Sequence, residues 1–258
     1  MGSEMCIRDR FRVGLLPFLN ALPLVHGLQD HPRVKPTWGM PAELFYLMQD
    51  GKLDAALTSS FVYAAKLRSR ITDLGVAAEG RVITVMIYSQ DPLDDVTVVE
   101  EDPASLTSNA LTRIIFHERQ QRVKFTPAKD VRAKLPPKTG RVIIGDQNFH
   151  PQFTYHHAYD IAALIDQLFK LPVVFAMWQG SESVSEQLVE ILEQAYAEVE
   201  EDWDGLCKYA EREWQVSHKA LVDYFGKALH FRLSPRDLEF LEFFRQKVHE
   251  LKLAKLAK

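Results

Sequence analysis

The chain has 258 residues, 47% of them hydrophobic and 26% charged, a globular composition that excludes disorder. Its 31 lysines and arginines against 35 acids give a formal net charge of −4, with the cations scattered, so no basic stripe for nucleic acid precedes the extreme C-terminus. No window approaches the length of uninterrupted apolar sequence that a membrane-spanning helix requires.

Residues 1–10 hold Glu4, Arg8, Asp9 and Arg10 without an apolar stretch, so they are not a secretory signal. Cys6 stands where a myristoylation signal requires Ser or Thr, and the segment is read as an appended, non-native leader. Cys207 is then the one cysteine of the body. That leaves no internal disulfide framework, fits a reducing compartment and predicts a cytoplasmic protein.

Residues 11–16 predict a short apolar strand and 20–28 a short helix. A strand at 34–38 follows. Pro41 then opens a helix whose face carries Leu44, Leu47 and Met48, and Gly51 ends it. Residues 54–58 predict a strand, followed by a helix carrying Phe61, Val62, Ala65 and Lys66. This alternation implies a mainly parallel sheet covered on both faces. The β-rich run 82–88 closes at Pro92, and 96–99 begins a second series. A helix with Leu106, Ala110, Leu111, Ile114 and Ile115 on one face follows, then strands at 123–125 and 141–144. Residues 158–169 predict a helix and 171–177 a strand.

From there the pattern is helical. Ser183 and Glu186 are spaced as a capping box ahead of Leu188, Ile191, Leu192, Ala195 and Val199. Ser234-Pro235-Arg236-Asp237 opens the last helix. Two βα series joined by two linking strands predict a hinged, two-lobed α/β architecture. Its expected boundaries are a discontinuous first lobe of residues 11–89 and 178–258, and a second lobe of residues 90–177.

In open parallel sheets, ligands bind beyond the carboxyl ends of strands, beside helix N-termini. The polar residues that follow the strands are Asn20, Ser59, Ser60, Ser89, Ser105, Thr107, Ser108 and Asp146. Hydroxyls and amides beside free helix N–H groups suit a carboxylate. Each also has a local reading: Ser59, Ser60, Ser105 and Ser108 as helix caps, and Asp146 as an Asx-turn. Their coincidence at one sheet edge is the functional signal, and it predicts a small anionic metabolite as ligand. The histidines at 150, 156 and 157 lack an acidic or cysteine partner at ligand spacing, so no metal is expected. Gly-rich phosphate loops and nucleophile elbows are absent from the sequence.

The blocks Asn20-Ala21-Leu22-Pro23-Leu24, Gly51-Lys52-Leu53-Asp54-Ala55-Ala56-Leu57, Ser105-Leu106-Thr107-Ser108, Ile144-Gly145-Asp146 and Phe175-Ala176-Met177-Trp178 occur in this order. Together they resemble the chorismate dehydratases of the futalosine route to menaquinone. The resemblance implies a periplasmic-binding-protein-like (type II) fold with a helical C-terminal segment. It also implies a cofactor-free lyase that removes water from chorismate to give 3-[(1-carboxyvinyl)oxy]benzoate. Asn20 matches the family's functional asparagine, and Thr84 stands where the family has a serine, so both are expected to be catalytic. The chain departs from the family at Phe18, where tyrosine is common, and at Ile165, Phe169 and Lys170, where tryptophan, threonine and glycine are expected. The alternatives are the sister dihydroxynaphthoate-forming enzyme and a non-catalytic small-anion-binding protein.

Overall fold

The computed structural model describes residues 10–257 except 150, 153 and 182. The leader expectation therefore lies outside the described residues save for Arg10, whose guanidinium donates to the Val34 carbonyl at 2.7 and 3.1 Å. His150 also lies outside them.

The chain opens with β1 (Phe11–Leu15), a broken helical turn whose centre is α1 (Leu22–Val25), and β2 (Val34–Trp38). Helix α2 (Pro41–Gln49) starts as expected, with proline in its first turn and Glu43 Oε2 accepting the Met40 N–H at 2.8 Å. Gly51, at φ +66°, turns the chain back beyond it. Strand β3 (Ala55–Ser59) is buried on both faces, and Ser59 caps α3 (Ser60–Ala64) by accepting from Phe61 N at 3.2 Å. The longest strand, β4 (Ser69–Ala78), is not apparent in the sequence. Its first half carries Ser69, Arg70, Thr72 and Asp73, and only from Leu74 is it continuously buried.

The second series comprises β5 (Val85–Ser89), β6 (Val98–Glu101), α4 (Leu106–Glu118), β7 (Lys124–Pro127), β8 (Thr139–Ile144), β9 (His157–Asp160) and α5 (Ile161–Phe169). Residues 158–160, expected as the start of a helix, instead pair with β5, and Asp160 then caps α5 by accepting from Ala163 N. After β10 (Val173–Gly180) come α6 (Glu186–Glu201), α7 (Trp203–Trp214), α8 (His218–Asp223), β11 (His230–Arg232) and α9 (Pro235–Glu250). A π-helical turn, Tyr224–Ala228, follows α8. The expected capping box at Ser183 does not form: α6 begins after Ser185, whose side chain makes no capping bond, and the Ser183 hydroxyl meets Ser181 instead. At α9 the box does form, between Ser234 and Asp237.

The strands make two mixed sheets, in the orders β11-β4-β10-β3-β1-β2 and β7-β6-β8-β5-β9. In the first, β1 runs parallel to β2 and β3, whereas β10 is inserted antiparallel between β3 and β4. Gly75 permits that insertion, since a Cβ there would lie 2.8 Å from the Ala176 carbonyl. Residues 85–89, assigned from sequence to the first lobe, pair in the five-stranded sheet, and all of β10 pairs in the six-stranded one. The strand registers therefore change sheets between 78 and 85 and between 160 and 173. A continuous apolar core runs through both sheets, and a small cluster of Met86, Tyr88, Leu135 and Ile143 covers the opposite face of β5 and β8. Among the described residues no helix is long and apolar enough to cross a membrane.

Candidate functional site

A cavity of about 50 Å³ lies where the two sheets meet. From the six-stranded side it is walled by Leu16, Phe18, Asn20, Pro41, Ser59 and Phe175–Ala176. From the five-stranded side come Val85, residues 104–108, Ile144 and Gly145. None of these lining residues is charged.

Helix α4 points its N-terminus at this cavity. Ser105 is its N-cap and accepts from Ser108 N at 3.2 Å, while its hydroxyl donates to Ser108 Oγ at 2.8 Å. The N–H groups of Leu106 and Thr107 fall in the first turn, where a helix has no acceptor of its own to offer. Thr107 is a hub between the sheets. Its hydroxyl donates to the Phe175 carbonyl at 3.1 Å and meets Ser59 Oγ at 2.6 Å. Asn20 also lines the cavity, and its Oδ1 is buried and has no hydrogen-bond partner. A buried acceptor without a donor is destabilising, and a hydroxyl from a ligand in the cavity would satisfy it.

Five sequence-predicted residues therefore meet at one place: Asn20, Ser59, Ser105, Thr107 and Ser108. Four others do not reach the wall. Ser89, at the end of β5, is buried and accepts from Asp91 N at 3.1 Å. The Ser60 hydroxyl faces β10 and donates to the Val174 carbonyl at 2.6 Å. Thr84, expected to face the ligand, is buried with its hydroxyl 2.7 Å from Tyr224 Oη. The preceding Ile83 is left-handed at φ +63°, held there as Asp160 accepts both the Val82 and Ile83 N–H groups at 2.8 and 2.6 Å. Asp146 is neither a ligand-facing carboxylate nor an Asx-turn. It accepts from Leu19 N at 3.1 Å and from Trp214 Nε1 at 2.7 Å, bridging the two sides. Gly145, at φ +77°, makes the turn that aims it there. Burial raises the Asp146 carboxyl above the usual carboxylate range, and the two N–H donors offset only part of that.

Sequence reading missed Asp102, Trp214 and Tyr224. Asp102 follows β6 and ties Ala104 N, at 2.9 Å, and Ile144 N, at 3.4 Å, behind the cavity wall. The strand-end rule that found Asp146 would have found it, had that strand been extended to Glu101. Burial raises its carboxyl as well, against the pull of those two N–H groups. Trp214 and Tyr224 contact residues 68 and 140 positions away, and no local pattern signals such pairs. Among the described residues no three His, Cys, Asp or Glu side chains gather at metal-binding distance.

Known proteins resemble this chain in sequence and in fold. A chorismate dehydratase of Campylobacter jejuni is 28% identical over 168 residues, which is 64% of this chain and 62% of that protein. One of Thermus thermophilus is 26% identical over 185 residues, 64% of this chain and 68% of that protein. The match thus spans about two thirds of the length of these curated relatives. A crystal structure from Archaeoglobus fulgidus superposes with a TM-score of 0.71 at 11% identity, over 95% of this chain and 98% of that one. The alkanesulfonate-binding protein SsuA from Xanthomonas axonopodis pv. citri, bound to MOPS, gives 0.59 at 13% identity, over 97% and 94%. These structural likenesses establish a periplasmic-binding-protein-like fold. Residues 11–250 match the menaquinone biosynthesis family, and the chain belongs to it.

Proposed function

We propose that the protein is a carbon–oxygen lyase of the chorismate dehydratase type, converting chorismate to 3-[(1-carboxyvinyl)oxy]benzoate and water. The two sheets would form two lobes around the substrate, with the crossings at 79–83 and 170–172 as hinges, a reading that the strand pairings support. The observation that carries the proposal is an uncharged cavity lined by both Asn20, whose Oδ1 is left without a partner, and the first turn of α4. Chorismate matches that polarity: its carboxylates suit the first-turn N–H groups and serine hydroxyls, and its ring hydroxyl is a donor for Asn20.

The reaction removes hydroxide from one ring carbon and a proton from its ether-bearing neighbour. The C–H electron pair becomes ring π density, and the two fragments leave as water. Aromatisation supplies the driving force, so the protein's task is to orient the ring and stabilise charge as the proton departs. One of the substrate's own carboxylates can accept that proton, which fits a cavity lined by neutral side chains.

The test is incubation of pure protein with chorismate, following the rise of aromatic absorbance and the mass loss of one water. Saturable binding without product would overturn the lyase reading in favour of a non-catalytic anion-binding protein.

A further inference from the structure

The cavity holds about 50 Å³, whereas pockets that enclose ligands of chorismate's size span roughly 300–1,000 Å³. The protein in this conformation therefore excludes the substrate proposed for it, and some contact must hold the two sides together. Beside the Thr107 hydroxyl, which already joins α4 to β3 and β10, the helical segment that follows α6 supplies such contacts. Helix α7 is anchored on the six-stranded side, where Tyr209 packs on His26 with ring centroids 4.6 Å apart and on Trp214 at 6.4 Å. From there Trp214 Nε1 donates to Asp146, and Tyr224, in the π-helical turn, meets the Thr84 hydroxyl. Tyr224 also packs edge-on against Phe149, with centroids 5.2 Å apart.

The two receiving points are one unit. Gly145 N donates to the Thr84 carbonyl at 2.8 Å, and Asn148 Nδ2 donates to the same oxygen at 3.0 Å, so Thr84 and the turn bearing Asp146 and Phe149 move together. Leu19 N, beside Asn20, closes the same carboxylate from the other wall. We infer that the segment from α7 to the π-helical turn latches the cleft in this narrow form, through Trp214 on Asp146 and Tyr224 on Thr84, and that a ligand enters only after both contacts part. The identity of that ligand rests on the proposed function; the latch itself rests on the contacts.

The Trp214→Phe/Tyr224→Phe double variant keeps an aromatic ring at each position, a smaller one at 214, and removes both polar contacts. Two readouts follow the cleft: hydrogen exchange of the Leu19 amide in the ligand-free protein, and the association rate of chorismate by stopped flow. Asp237→Asn, which removes a hydrogen-bond acceptor at the start of α9, controls for a general loss of stability. A charge-assisted hydrogen bond biases the equilibrium it governs by roughly tenfold to a hundredfold. The double variant should thus exchange Leu19 at least about tenfold faster than the control and bind chorismate faster by a similar factor. Leu19 exchange no faster than in the control would overturn the latch, as would unchanged or slower association in a protein that binds chorismate. Faster Leu19 exchange in a protein that never converts chorismate would keep the latch and discard the lyase.

Discussion

Replacing Asn20 by alanine should leave the fold at least as stable while removing most of the turnover of chorismate. In most half-buried positions truncation destabilises, because contacts are lost and partner groups are orphaned. At Asn20 the orphan is the side chain's own Oδ1, buried without a donor. An unsatisfied buried acceptor costs about 1–3 kcal/mol, and truncation removes that penalty together with a few contacts. The net change in stability should lie between zero and about 1–2 kcal/mol of gain. For a chain of this size that is an unchanged melting temperature or a rise of a few degrees, at roughly 2–4 °C per kcal/mol. Activity should move the other way, since loss of one preorganised polar group beside the reacting centre lowers the rate by roughly a hundredfold or more. Calorimetry and chorismate turnover on the same preparation check both halves. A variant that melts several degrees lower yet turns over normally would show that Asn20 is a structural residue, and the reasoning would fail.

Thr84→Val and Tyr224→Phe remove the same 2.7 Å hydrogen bond, so each should destabilise by about 1–3 kcal/mol and the double variant by clearly less than the sum, measured by denaturant titration. If Thr84→Val turns over chorismate as well as the unaltered protein, the Thr84 hydroxyl has no catalytic role. Ile83→Gly should raise stability by about 0.5–1 kcal/mol, because the left-handed conformation is unfavourable for a β-branched residue; a lower melting temperature would mean that no strain resides there. Asp237 is fully buried, and burial pushes its carboxyl up, but hydrogen bonds from His230 and Ser234 outweigh it and hold the group below its ordinary 3.8. The stability it contributes is present above pH 3.8 and lost as pH falls through its depressed value, so Asp237→Asn should lose that acid sensitivity in pH-dependent melts.

Elements with strong periodicity were legible from sequence, as α2, α4 and α9 illustrate, because their caps and apolar faces are written within one or two turns. Strand β4 was not, because its first half is polar, and its burial depends on β10 and β11 packing beside it from more than ninety positions away. The candidate site divides along the same line. Ser59, Ser105, Thr107 and Ser108 were found because they sit at strand ends or a helix cap, which are local features. The sequence named Asp146 and Thr84 as well, but it could not tell that Trp214 and Tyr224 would occupy their polar atoms.

Strand β10 has a consequence for how the molecule is made. It lies between β3 and β4 at the centre of the six-stranded sheet, yet it is synthesised after every strand of the five-stranded one. The five-stranded sheet draws on a contiguous run from Val85 to Asp160, so it can complete while the ribosome is still extending the chain. Until Gly180 emerges, β3 carries an unpaired inner edge and β4 is unpaired on both, and every residue of β3 is one that the finished protein hides. A nascent chain stalled near residue 170 would leave β3 and β4 exposed, open to pairing with a neighbour on the same polysome.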